Sequence, residues 1–344
     1  MHQSEHITPA PVLVELTRGG MVEVYHRGHV CVVNGDGDLL YSKGNPKLKT
    51  YLRSSAKPFQ AAAVILSGAA ARFDLSDQEI AVIAGSHGGE SFHTETVAQI
   101  LGKGGFSAAN LQCGIHAPLD ETARNDLIRT GCAITPLHHN CSGKHAGMLL
   151  TALHLGSASE NYLEPDQPGQ LLVKQVIAET AGIDEAEIVV AIDGCSAPVY
   201  AISVKGVARL FARLVRPVDL DSELAAALTR VARSMRAFPE MIAATKARIC
   251  TELMRVGLEN EVTGKAGAEG VYGVGWFDRK TGQACGLAVK MEDGQQRGRD
   301  PVTLTLLQKF GALPAELPEV FRPMIAETLT NWQGMAVGKT IVLT

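Results

Sequence analysis

Several strings in this chain bring amines close to hydroxyls and thiols, which is the raw material for nucleophilic catalysis or for a soft metal site. Ser54-Ser55-Ala56-Lys57 has the spacing S-x-x-K just ahead of an Ala-rich stretch. One helical turn would set the Ser54 hydroxyl beside the Lys57 amine, and a helix N-terminus favours a forming alkoxide. Serine becomes a good nucleophile only when a base takes its proton, and lysine can act as that base only when burial or a second cation depresses its pKa. Ser55 offers a competing hydroxyl, but Ser54 has the helical register with Lys57. S-x-x-K is a common chance match, so it needs support from elsewhere. AGSHGGE (84–90) supplies Ser86 and His87 in a Gly-rich loop, and TGKAGAEGVYGVG (263–275) supplies Lys265 among small residues. A lysine there suits either a catalytic cation or a solvated loop.

Two further strings carry soft donors. HHNCSGKHAG (138–147) packs Asn140, Cys141 and Lys144 between histidines in a turn that opens a helix. As a metal half-site it is atypical, because lysine seldom binds zinc; taken alone, the string is better read as a helix cap with a small buried Cys. AIDGCSAP (191–198) lies where an apolar strand ends, and such ends commonly open onto active sites. Asp193 is placed there to hold a substrate ammonium, and Cys195 adds a second thiol. GMAVGKT (334–340) imitates a phosphate loop, but Gln333 replaces the first Gly and too few residues follow for the required helix. KTG at 280–282 reads as a hairpin turn, and no SDN string accompanies it as in penicillin-recognising enzymes.

The elements that must position these groups can be sketched from patterning. Segments 12–16, 21–25, 28–33 and 39–41 are short and mostly Val-rich, and read as a meander of strands. A helix is expected over 54–71, with Pro58 tolerable near its first turn. Ser76 and Glu79 form a capping box before another helix. Further helices are expected near 90–103, 120–130, 144–156, 168–181, 203–215, 219–236 and 301–311. Segment 187–192 reads as a buried strand, 270–292 as a hairpin, and the last residues as a strand. Strands, a long helical middle, then strands again indicate an α+β fold, an antiparallel sheet with a helical insertion. One unit over 1–344 is expected, with the sheet drawn from 1–53 and 246–344 and the helical part from 54–245.

With 344 residues, 46% of them hydrophobic, the chain can bury a large core. A net charge of −4 with interspersed signs argues against nucleic acid or an anionic membrane as partner. The amino terminus has no basic segment followed by an apolar one, and no apolar run approaches the ~18 residues that span a bilayer. Seven scattered cysteines read as reduced thiols of a cytoplasmic protein.

Taken in order, RSSAKPFQ, GSHGGE, HNCSGKHAG, DGCSAP and GKAGAEGVYGVG resemble the asparaginase II family of bacterial amidohydrolases, the rhizobial type. The resemblance implies a fold similar to serine β-lactamases and glutaminases, a homodimer, and L-asparagine as substrate. It also implies two Ser–Lys pairs, Ser54 with Lys57 and Ser86 with Lys265, beside a zinc ion held by Cys141, Lys144 and Cys195. Asp193 matches the residue that grips the α-amino group, and Arg53, His87 and Asn140 from the same strings are candidate substrate contacts. Ser54 is the expected nucleophile and Lys57 its base, with attack by Ser86 open. So is the zinc's role: it either orients substrate or activates water. A glutaminase or another small-amide hydrolase, or a non-catalytic zinc- or ligand-binding relative, is the alternative.

Overall fold

The Val-rich ends of the chain come together in one sheet. A computed structural model describes residues 9–246 and 248–344; residues 1–8, part of the amino-terminal segment read above as lacking a leader, lie outside the described residues. The strands are β1 (Val12–Arg18), β2 (Met21–Asn34), β3 (Leu39–Lys43), β4 (Lys49–Tyr51), β5 (Val189–Ile192), β6 (Pro198–Ser203), β7 (Thr263–Ala266), β8 (Val271–Asp278), β9 (Gln283–Met291), β10 (Thr328–Thr330) and β11 (Ala336–Val342). Eight of them form the main sheet in the order β10-β11-β1-β2-β9-β8-β7, with β3 paired to β2. All neighbours are antiparallel, and Val14 of β1 faces Val342 of β11. A second sheet, β4-β6-β5, bridges the amino-terminal region and the helical middle. The architecture is α+β, as expected.

Two expected strands, 21–25 and 28–33, are one. Gly28 does not turn the chain. A Cβ there would lie 2.5 Å from the Lys290 carbonyl oxygen, so the glycine permits close pairing with β9. β5 is not buried: Val189 is 45% and Ile192 77% exposed, because the strand forms the edge of the small sheet. The last long helix starts at Gln296, before Pro301 rather than at it, and carries that proline inside.

Glycines set the depth of the core. Gly275 and Gly286 are cross-strand partners, and Gly273 shares their face. A Cβ would fall 1.9 Å from the Phe211 carbonyl oxygen at Gly275, and 1.9 Å from that of Ala208 at Gly286. The helix Val204–Val215 therefore lies directly on backbone. On the opposite face, Gly298 of the helix Gln296–Lys309 meets Met291 and His26. The sheet is thus covered on both sides. Because backbone cannot move aside as a side chain can, Gly275→Ala should cost about 1–3 kcal/mol. Urea unfolding tests this, and an unchanged midpoint would contradict the close seating.

The helical middle packs onto the Val204–Val215 helix. Helix Lys57–Leu66 runs through it, touching Ser142–His154, Pro168–Ala181 and Ser222–Ala237, and Phe59 meets Phe211 edge-on at 5.5 Å. The expected helix over 54–71 is divided. A 3₁₀ turn, Arg53–Ala56, precedes it, and Gly68 at φ 89° separates it from Ala69–Arg72. Pro58 lies in the first turn, where its missing N–H costs nothing. The Ser76–Glu79 capping box is formed. No helix among the described residues is long and apolar enough to cross a membrane.

Candidate active site

Four elements converge on one buried hydroxyl. Lys57 opens the helix Lys57–Leu66, Ser86 follows the helix Asp77–Ile83, Asn140 precedes the helix Ser142–His154, and Lys265 lies on β7. Ser86 Oγ is 2.9 Å from Lys57 Nζ and 2.9 Å from Lys265 Nζ. Both lysines are 1% exposed and Ser86 6%. Lys57 Nζ also donates to the Gly85 carbonyl at 2.7 Å and the Asn140 carbonyl at 3.1 Å. These three acceptors match the three N–H groups of an ammonium. Lys265 Nζ has one further partner, its neighbour's Ala266 carbonyl at 2.8 Å.

Burial in this position pushes the Lys265 amine down to about 7, helped by the charges of Lys57 and Arg248 and opposed by Cys250 and Cys141. Burial lowers the pKa of the Lys57 amine as well, with Cys141 opposing and Lys144 adding to that effect. With Lys57 protonated, which its three acceptors favour, and Lys265 neutral, Lys57 donates to Ser86 Oγ and the Ser86 O–H donates to Lys265. Ser86, Lys265, Ser54 and Asn140 line a cleft of about 290 Å³, together with Arg248, Cys250, Glu269 and Arg299.

The expected Ser54–Lys57 pair does not form. Arg53, at φ 49°, turns the chain into a 3₁₀ rather than an α-helical start, and the Lys57 side chain is drawn inward to Gly85, Ser86 and Asn140. Ser54 stays at the cleft wall and makes no side-chain hydrogen bond among the described residues. Ser55 is fully buried and spends its hydroxyl on the Leu52 carbonyl at 2.6 Å, which removes it as a nucleophile.

His87, expected to touch substrate, is in the interior. It is 0% exposed, bonds Ser142 Oγ at 2.9 Å through Nε2, and stacks on His93 at 5.0 Å. Burial, and then the neighbouring His93, hold its pKa well below the ordinary range, so it is a neutral packing residue. Arg53 Nε donates to Asp193 Oδ1 at 2.8 Å, and Arg53 Nη1 lies 3.6 Å from Glu269 of the cleft lining.

Cys141, Lys144 and Cys195 meet behind Lys57. Lys144 Nζ is 3.0 Å from Cys195 Sγ, and Cys141, which donates to Asn140 Oδ1 at 3.3 Å, lies close enough to Cys195 and Lys57 for both to shift its pKa. Cys195 holds the Cys141 thiol well below its usual value, against burial and with help from the two lysines. Burial opposes the charge on Lys144, yet the Cys141 and Cys195 thiols keep its pKa raised. Among the described residues no group of three or more His, Cys, Asp or Glu side chains could hold a metal. Two sulfurs and one amine in contact nevertheless suit a tetrahedral ion of borderline softness such as zinc, once Lys144 loses its proton and a fourth donor is added.

A family model described as L-asparaginase II matches residues 14–342. The chain belongs to the L-asparaginase II family. By that membership it is a hydrolase of the asparaginase type. Among curated proteins, none matches the chain. Among solved structures, the native form of Mglu is similar at 15% identity and a TM-score of 0.43, over 86% of this chain and 67% of that one. A β-lactamase/D-alanine carboxypeptidase from Pseudomonas syringae is similar at 11% identity and a TM-score of 0.41, over 84% of this chain and 94% of that one. A Bacillus glutaminase is similar at 13% and 0.37, over 83% and 92%.

In this L-asparaginase II chain, the sequence reading missed Arg248 and Glu269 of the cleft and the Gly85 carbonyl that holds Lys57. Glu269 stood inside a quoted string, next to the Gly270 that turns β7 toward β8. Arg248, in the plain string KARIC, carried no signal of its own.

Proposed function

We propose that this protein hydrolyses the side-chain amide of L-asparagine to L-aspartate and ammonia, with Ser86 as nucleophile. The observation that carries the reading is the Ser86 hydroxyl held at 2.9 Å by two buried amines. Neutral Lys265 takes the Ser86 proton as Oγ attacks the carboxamide carbon, and the Lys57 N–H at Ser86 stabilises the negative charge developing on Oγ. The Ser86 N–H is already given to the Ile242 carbonyl at 2.7 Å, so it is not a free oxyanion donor. As the tetrahedral species collapses, the C–N bond breaks and Lys265 returns its proton to the leaving ammonia. Water then attacks the Ser86 ester as Lys265 takes its proton, the acyl C–Oγ bond breaks, Lys265 returns the proton to Ser86 Oγ, and aspartate departs.

Asp193 and Glu269, gathered around Arg53, offer carboxylates to the α-ammonium. Cys141, Lys144 and Cys195 would hold zinc, which when bound supplies a fixed positive charge that polarises or orients substrate. Lys57, whose charge and that of Cys141 act on each other, is the residue that links that cluster to Ser86. A second reading, attack by Ser54, is favoured by one observation: Ser54 lines the same cleft, and its hydroxyl has no hydrogen-bond partner among the described residues.

Ammonia release from L-asparagine by purified protein, with L-glutamine in parallel, tests the activity. Metal analysis of the same sample should find about one zinc per chain in the wild type and a clear loss in Cys195→Ala. Release from neither amide by folded protein would overturn the substrate assignment, and equal zinc in both proteins would overturn the metal assignment. Two chains per particle are expected in solution, which light scattering would check.

A further inference from the structure

The cleft contains a cation that the mechanism above does not use. Besides Lys265, two basic side chains line it, Arg248 and Arg299. Arg299 is committed elsewhere: its Nε donates to Asp300 Oδ1 at 2.8 Å, and its guanidinium lies 5.5 Å from the Tyr272 ring centre. Lys265 is committed to Ser86 and the Ala266 carbonyl. Arg248 is half-buried, yet it makes no ion pair and no side-chain hydrogen bond among the described residues.

Arg248 occupies the N-cap position of the helix Ile249–Val256, and no side chain caps that helix. Ile249 and Cys250, the first residues of the helix, line the same cleft. A guanidinium and the positive end of a helix therefore share one wall. A half-buried guanidinium beside a buried lysine is costly unless an anion meets it. Of the negative groups near Arg248, Glu269 and Asp193 are drawn to Arg53, and buried Asp300, which feels the Arg248 charge, is bonded by Arg299. Ammonium recognition and carboxylate recognition are thus divided between different side chains, as a zwitterionic amino acid requires.

We propose that Arg248 anchors the α-carboxylate of the substrate, and so makes the enzyme select amides of α-amino acids over simple amides. This rests on reading the cleft as an asparaginase site. An arginine fork can pair both carboxylate oxygens, and it fixes the direction of the side-chain amide toward Ser86 as well as adding affinity. The role is one of specificity: Arg248 touches the end of the substrate that does not react.

The test compares L-asparagine with β-alaninamide, the same molecule without its α-carboxylate, in the wild type and Arg248→Gln. For L-asparagine, kcat/KM should fall about 10- to 100-fold in the variant, mainly through KM. For β-alaninamide it should change by less than about threefold, since the partner group is already missing. Inhibition gives a readout independent of turnover. L-aspartate should weaken by a similar factor in the variant, while β-alanine should not. Arg248→Lys should recover part of the loss. An equal loss on both amides and both inhibitors, or no loss on any, would overturn the proposal. A shift of the pH profile common to both amides would instead assign Arg248 to tuning Lys265. If the wild type releases no ammonia from L-asparagine, the underlying substrate reading fails first and this inference goes with it.

Discussion

Ser86→Ala should lower kcat/KM for L-asparagine by at least about 10³-fold, whereas Ser54→Ala should lower it by no more than about tenfold. The difference follows from what each hydroxyl touches. Ser86 Oγ lies between two amines at 2.9 Å each, so it can give up its proton on one side while charge is stabilised on the other. Ser54 borders the same cleft but has no amine bonded to its hydroxyl among the described residues. Its loss therefore removes a polar cleft contact rather than the reacting atom. The comparison is informative because both variants remove one hydroxyl from a folded wall and leave Lys265, Arg248 and Arg299 in place. Single-turnover ammonia release, with mass analysis for an acyl-enzyme on a slowly hydrolysed amide, would locate the covalent bond. An adduct on Ser54, or a Ser54→Ala variant as inactive as Ser86→Ala, would return the nucleophile to the helical-turn pair.

That contrast also marks where sequence spacing stops being a guide. S-x-x-K put Ser54 and Lys57 one turn apart on the assumption of a regular helix through both. The positive φ of Arg53 and the 3₁₀ turn after it are local backbone facts that the residue types do not announce. The long lysine side chain then reaches acceptors 28 and 83 positions away, the Gly85 and Asn140 carbonyls. No spacing rule anticipates contacts to main-chain carbonyls at that separation. The converse holds for the sheet. β8 and β9 were legible because alternation, a DRKTGQ turn and paired glycines all act within one hairpin. The exposed β5 was misread because an apolar tetrapeptide reads alike at an edge and in a core, and only its neighbours decide. His87 was misread for a related reason. A histidine beside a Gly-rich loop looks available, yet Ser142 and His93 close over it.

The turnover rate should rise with pH through about 7 and level off above it, and Lys265→Met should abolish that dependence along with about 10²–10⁴-fold of the rate. Only neutral Lys265 can take the Ser86 proton. With its pKa lowered by burial to about 7, the active fraction falls about tenfold for each pH unit below that value. Burial lowers the Lys57 amine too, but Lys57 is the poorer base, because three acceptors surround its nitrogen and favour the ammonium form, with one N–H already pointing at Ser86. The same residue leaves a signature in stability. Its folded pKa lies below the ordinary lysine value of about 10.4, so between about 7 and 10 the unfolded chain holds the extra proton. Stability from this group therefore rises with pH across that window and is lowest at and below about 7. Lys265→Met removes the titration. Relative to wild type, the variant should be at its most stable near pH 6.5, and the gap should narrow by roughly 1.4 kcal/mol per pH unit above 7. Leaving the Ala266 carbonyl unpaired costs about 1 kcal/mol at every pH, so it offsets the gap without changing its slope. Urea titrations at pH 6.5 and 9 would show the narrowing. A gap independent of pH, together with a pH-independent rate in the wild type, would mean that Lys265 keeps its charge and that the proton leaves Ser86 by another route.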